Sequence, residues 1–117
     1  MKYALLAYVN TDVREQTSVA DQARIDAGIA KVLERPNVTG WLRLHDLGSA
    51  TTVRHEQGRT LLTDGPFVDS KDFLGGVIVV ESPNIDGALA IAGELQELRL
   101  GGAIEVRPLR EGPLVAD

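Results

Sequence analysis

The sequence has no cysteine. That excludes disulfides, thiolate metal sites and a cysteine nucleophile, and it fits a reducing, cytoplasmic setting. There is no run of lysine or arginine either: 12 basic residues are scattered among 17 acidic ones, for a net charge of −5. Neither a nucleic acid nor an anionic membrane surface is therefore an expected partner. Long apolar runs are also missing. A membrane span needs roughly 20 apolar residues in a row, and no segment approaches that. The opening MKYALLAYVN lacks the longer apolar core and the small-residue cleavage site of a signal peptide, and reads as a first strand. The histidines, His45 and His55, each precede an acid, but no spacing of histidine and acids resembles a metal site. No cofactor is expected.

What is present is enough for one folded domain. The chain has 117 residues, 44% of them hydrophobic, which predicts a single core over 1–110 and a tail over 111–117. Residues 2–9 alternate as a strand with apolar groups on both faces. NTDVREQT reads as a polar loop. Ser18 and Asp21 have capping-box spacing, and Ile25, Ile29, Val32 and Leu33 repeat at helical spacing as far as Pro36. A second strand is expected over 38–46, with Val38, Leu42 and Leu44 on one face and Trp41, Arg43 and His45 on the other. Two strands flank Gln57-Gly58 as a hairpin. GGVIVVES is a central strand, apolar on both sides. Asn84 caps a helix carrying Ala88, Ile91, Ala92, Leu95 and Leu98, and AIEVRPL closes the series. Two β-α-β units around a hairpin predict a ferredoxin-like α+β sandwich.

Two helices cover only one face of such a sheet, yet strands 2–9 and 76–81 are apolar on both. Soluble monomers do not leave so large an apolar surface bare. A second copy of the chain is the expected cover. The result would be a homodimeric α+β barrel with a small-molecule pocket between its two sheets.

The stretch LLTDGPFVDSKDFLGG, residues 61–76, supplies most of the candidate chemistry. Asp64 either caps its own turn or, at a strand end beside a pocket, acts as an acid/base. His45 shares the predicted face of Trp41 and Arg43. If that face is the dimer side, His45 meets Asp64 as a proton shuttle; otherwise it is an exposed strand histidine. Lys71 either attracts an anionic ligand group or is a surface lysine, and Arg54 either binds a carboxylate or pairs with a neighbour. Trp41 is the aromatic candidate for ligand contact. Phe67 and Phe73 read as anchors pinning the loop to the core. Gly75-Gly76 is no phosphate loop, because a strand follows it where a helix N-terminus is required.

Three segments, ATTVR at 50–54, TDGPFVDSKDFLGG at 63–76 and IEVRPL at 104–109, resemble the DGPF branch of the YCII-related proteins. The layout matches over Met1 to Leu109, most specifically over 50–76. The resemblance implies a ferredoxin-like fold and a homodimeric barrel. The activity it implies is largely undefined, with some members looking like cofactor-free enzymes. The wider group is credited with a His–Asp pair whose histidine lies early in the first helix. Residues 21–33 here contain no histidine, so the pair does not carry over intact. Asp64 matches the acid, and His45 stands as its candidate partner. Many relatives are encoded beside, or joined to, extracytoplasmic-function sigma factors. Two functions stay open: a small-molecule-binding dimer working as a cofactor-free enzyme, or a non-catalytic interaction or sensory module linked to a sigma factor.

Overall fold

The computed structural model describes residues 1–115; the last two positions of the expected 111–117 tail lie outside the described residues. β1 (Lys2–Asn10) leads into a short helix, α1 (Thr11–Gln16), where the polar run suggested a loop. Asn10 makes the difference. Its side chain accepts a hydrogen bond from the Val13 amide at 3.1 Å, and Asp12 sits in the first turn, where the helix dipole favours a negative charge. α2 (Val19–Leu33) starts at Ser18, whose hydroxyl accepts from the Asp21 amide at 3.1 Å. Only half of the capping box forms, because the Asp21 carboxylate turns to Arg24. β2 (Val38–Arg43), a 3₁₀ turn (Leu47–Ser49), β3 (Thr51–Glu56), β4 (Arg59–Asp64), β5 (Asp72–Glu81), α3 (Ile85–Leu98) and β6 (Ala103–Pro108) follow. Among the described residues, no helix is long and apolar enough to cross a membrane.

Four strands form one antiparallel sheet in the order β2-β5-β1-β6. With α2 crossing between β1 and β2 and α3 between β5 and β6, this is the ferredoxin-like arrangement expected, with α1 added at the end of β1. β3 and β4 pair only with each other, as a separate hairpin. Its turn at Gln57 and Gly58 takes positive φ at both positions, 50° and 76°, the geometry that matches strand twist in a two-residue hairpin.

Residues paired across antiparallel strands share a face, so the register sorts the side chains into rows. On the helix-covered face the first row is Val38, Val80, Tyr3 and Pro108, the second Trp41, Ile78, Leu5 and Val106, the third Arg43, Gly76, Ala7 and Ile104. The first two rows meet Ala88, Ile91, Ala92 and Leu95 of α3 and Val32 of α2 in the core. Leu5, Leu95 and Val80 are fully buried, each worth about 1.5–3 kcal/mol relative to exposure. The opposite face carries Ala4, Leu6 and Tyr8 with Val77, Val79 and Leu42, and no helix packs there among the described residues. The sheet is thus apolar on both faces, as the alternation of β1 and β5 predicts.

Two expectations about side-chain direction change. The register of β2 slips between Val38 and Gly40, a bulge at Thr39. The extra residue reverses the alternation, so Val38 joins Trp41 and Arg43 instead of Leu42. That shared face is the helix side, not the open side. β2 also ends at Arg43, so His45 belongs to a connection and its strand alternation does not apply. In the loop after β4, Phe67 is 74% exposed, so it is no anchor to the core. The loop start is held at Gly65, which donates to Ala50 O and accepts from Thr52 Oγ1; both holds lead back to the hairpin. Phe73, in β5 opposite Val9, is half-buried.

Candidate functional site

The third row explains a cavity between α2 and the sheet. Its middle positions are Ala7 and Gly76, flanked by a β-bulge at Gly75. Neither fills the space beneath α2. Gly76 is required by the sheet itself: a Cβ there would stand 2.8 Å from the Leu42 carbonyl oxygen. The outcome is a cavity of about 210 Å³. Ala7 and Gly76 form its floor, Ile25, Ile29 and Leu33 of α2 its roof, and Trp41, Ile78 and Ile104 its apolar walls.

One end of this space is polar. Arg14 from α1, Arg43 from the end of β2 and Arg99 from the end of α3 line it, with Gln22 and Asp26 from α2. Arg99 is half-buried and straps three elements together. It donates to Gln96 Oε1 at 2.9 Å, to Ala103 O at 3.2 Å and to Tyr8 O at 2.5 Å. Burial pushes its pKa below the ordinary arginine value, which still leaves it protonated at neutral pH. Asp26 accepts from Gln22 Nε2 at 2.9 Å. A cleft with apolar walls and converging polar groups is the usual form of a small-molecule site. Among the described residues, no group of three or more histidine, aspartate or glutamate side chains gathers where a metal ion would need them.

Of the residues singled out in the sequence, Trp41 lies in this cavity wall, 56% exposed. The others stand elsewhere. Asp64 ends β4, exposed, opposite Thr51. His45 is exposed, and its Nδ1 lies 3.9 Å from Asp46 Oδ1. Adjacent strand residues point to opposite faces, but 44–46 is not a strand, so these two side chains lie near each other. Within one chain no hydrogen bond or ion pair joins His45 to Asp64. Arg54 pairs with Glu56 two residues along the same strand face, and Arg107 likewise with Glu105. Lys71 Nζ donates to Asp12 Oδ2 at 2.8 Å, a bond that raises the lysine pKa. The Lys71 carbonyl accepts from Thr11 N at 2.7 Å and Thr11 Oγ1 at 2.9 Å, and Asn10 Nδ2 donates to Asp72 Oδ1 at 3.0 Å. The end of the DGPF loop is therefore clamped to α1.

Arg14, Arg99, Gln22 and Asp26 carry no local sequence signal. The alignment of Ala7 beside Gly76 would have pointed to the cavity, but it exists only once β1 and β5 are in register.

A family model for the YCII-related domain matches residues 1–112. The chain is 32% identical over 114 residues to an uncharacterised protein of Rhizobium meliloti (strain 1021), covering 93% of this chain and 92% of that one. Among solved structures, the divalent cation tolerance protein CutA1 from Thermus thermophilus is similar over 96% of this chain and 87% of its own. Identity there is 17% and the TM-score 0.41, too loose a likeness to bear on function.

Proposed function

This chain belongs to the YCII-related family, and we propose that it is a homodimer that binds a small molecule in the cavity between α2 and the sheet. The observation that carries this reading is the row of small residues: Ala7 beside Gly76 under an amphipathic helix leaves about 210 Å³. An apolar cavity of about 150 Å³ is enough to take benzene. Trp41 is the chain's one tryptophan and stands in the wall, so its fluorescence reports on the cavity. A ligand that enters changes Trp41 emission in the native protein and has no effect after Ala7→Leu, which fills the floor. A response that survives Ala7→Leu overturns the placement.

Support for the dimer comes from the uncovered surface. Leu42, on the open side of β2, is 50% exposed, and Val53 and Leu62, paired on one hairpin face, are 66% and 70% exposed. Burying them against a second copy related by a two-fold axis removes both patches at once. Light scattering should give twice the 12.6 kDa chain mass, and Leu42→Arg, which puts a charge in that face, should halve it. A native protein that scatters as a lone chain at micromolar concentration refutes the dimer.

A second reading gives Asp64 an acid/base role in a cofactor-free reaction. Asp64 lies on the same hairpin face as Val53 and Leu62. Docking that face on a second copy would take the carboxylate out of bulk water and set it against whatever the interface encloses, where it could exchange a proton with a bound molecule. His45, Arg54 and Lys71 would then be polar support at the same interface. Asp64→Asn should abolish turnover while leaving the Trp41 response to ligand intact; unchanged turnover rules this role out.

A further inference from the structure

We propose that the cavity selects an anion: a small organic acid whose carboxylate meets Arg14, Arg43 and Arg99 and whose flat apolar body lies beside Trp41 over Ala7 and Gly76. This rests on the reading above, that the cavity binds a small molecule at all.

The charge of the lining departs from that of the molecule. The chain as a whole carries −5, yet three arginines line this cavity against one acidic residue, Asp26. Asp26 forms no ion pair with them; it accepts its hydrogen bond from the neutral Gln22 amide.

Pairing sets these arginines apart from five other basic residues, while Arg59 and Arg110, outside the cavity, likewise make no side-chain bond among the described residues. Arg24, Arg35, Arg54, Lys71 and Arg107 each hold a carboxylate of the same chain. Arg14 and Arg43 make no side-chain hydrogen bond or ion pair among the described residues. Arg99 bonds only to neutral oxygens, those of Gln96, Tyr8 and Ala103. Those bonds use three of the five donor hydrogens that a guanidinium offers. A half-buried cation with neutral partners and free donors lacks a counter-ion, and a planar carboxylate matches the guanidinium fork.

The volume and the walls define the rest of the ligand. About 210 Å³ holds one ring and a carboxylate, by comparison with the roughly 150 Å³ that takes benzene. Ile29, Leu33, Ile78 and Ile104 give the ligand body an apolar surface, while the arginines with Asn10, Thr17, Gln22 and Asp26 supply the polar groups that set specificity.

The test is calorimetric titration of the full chain with benzoate and with benzamide, its neutral isostere. Benzoate should bind about tenfold or more tightly than benzamide, the ratio of a charge-assisted to a neutral hydrogen bond. Added salt should weaken benzoate and leave benzamide unchanged. Arg43→Gln and Arg14→Gln, at exposed positions with no partner to lose, should each weaken benzoate several-fold without moving the melting temperature, and should not affect benzamide. Ala7→Leu should block both. Equal affinity for the two compounds overturns the anion and leaves the cavity reading standing. Binding of neither compound overturns both. Benzoate affinity that ignores Arg43→Gln, Arg14→Gln or Ala7→Leu places the acid elsewhere and also overturns the inference.

Discussion

Replacing Ala7 by leucine tests the space over the sheet without reference to any ligand. The substitution adds three carbons directly beneath α2, in the row Arg43, Gly76, Ala7, Ile104. Burying three such groups is worth up to about 2.4 kcal/mol at about 0.8 kcal/mol each. The cavity is open at its arginine end, so part of the added surface stays wet, and about half that gain, about 1 kcal/mol, is the expected stabilisation. If the space were already filled, the same substitution would force neighbouring side chains off their rotamers and cost about 1–3 kcal/mol. The sign therefore decides. Urea unfolding at neutral pH should show a higher midpoint at unchanged slope, and a thermal melt should rise by about 3–5 °C. A stability that falls by about 1 kcal/mol or more would mean that the third row has no room, and the proposed site would go with it.

Other expectations follow from single contacts. Gly76→Ala drives a Cβ to within 2.8 Å of the Leu42 carbonyl oxygen and should cost about 1–3 kcal/mol of stability in urea unfolding. Gly93→Ala, on the exposed side of α3 with nothing within 4 Å, should instead stabilise by up to about 1 kcal/mol. Asn10→Ala removes the cap of α1 and should cost about 1 kcal/mol, with hydrogen exchange speeding up first over Thr11–Gln16. The hydrogen bond from Arg35 holds the Glu94 carboxyl below its ordinary pKa. The unfolded chain therefore binds more protons than the folded one between that lowered value and the ordinary glutamate value, and stability falls as pH drops through this window. Glu94→Gln should flatten the acid limb of the stability profile there and change little at neutral pH. An unchanged acid limb would mean that the pair is not formed in solution.

Much of the fold is legible in the sequence because it depends on period and punctuation. The double-sided apolar alternation of β1 and β5, the Ser18 and Asn84 caps and the glycine turn at 57–58 all act over a few residues, and each places its element. What escapes such reading depends on one residue out of step. The bulge at Thr39 turns Trp41 and Arg43 toward α2, and no feature of NVTGW announces it. α1 is hidden because its polar residues show no apolar stripe; only the Asn10 cap and the Lys71–Asp12 clamp, a long-range contact, reveal it. The site is the least legible part. Trp41 stands out for its aromatic ring and does line the cavity. Asp64, His45, Arg54 and Lys71 stand out because they lie in or near a distinctive motif, and within one chain they do not converge. The arginines that do converge come from the ends of three elements far apart in sequence. Their approach is set by strand register and by Arg99 strapping α3 to β1 and β6.

The most direct discriminator is a crystal structure of the protein grown with benzoate. We expect density for the acid beneath α2, over Ala7 and Gly76, with its carboxylate toward Arg43 and Arg99. Density for it instead between two open sheet faces beside Asp64, with only water beneath α2, would contradict this placement of the site.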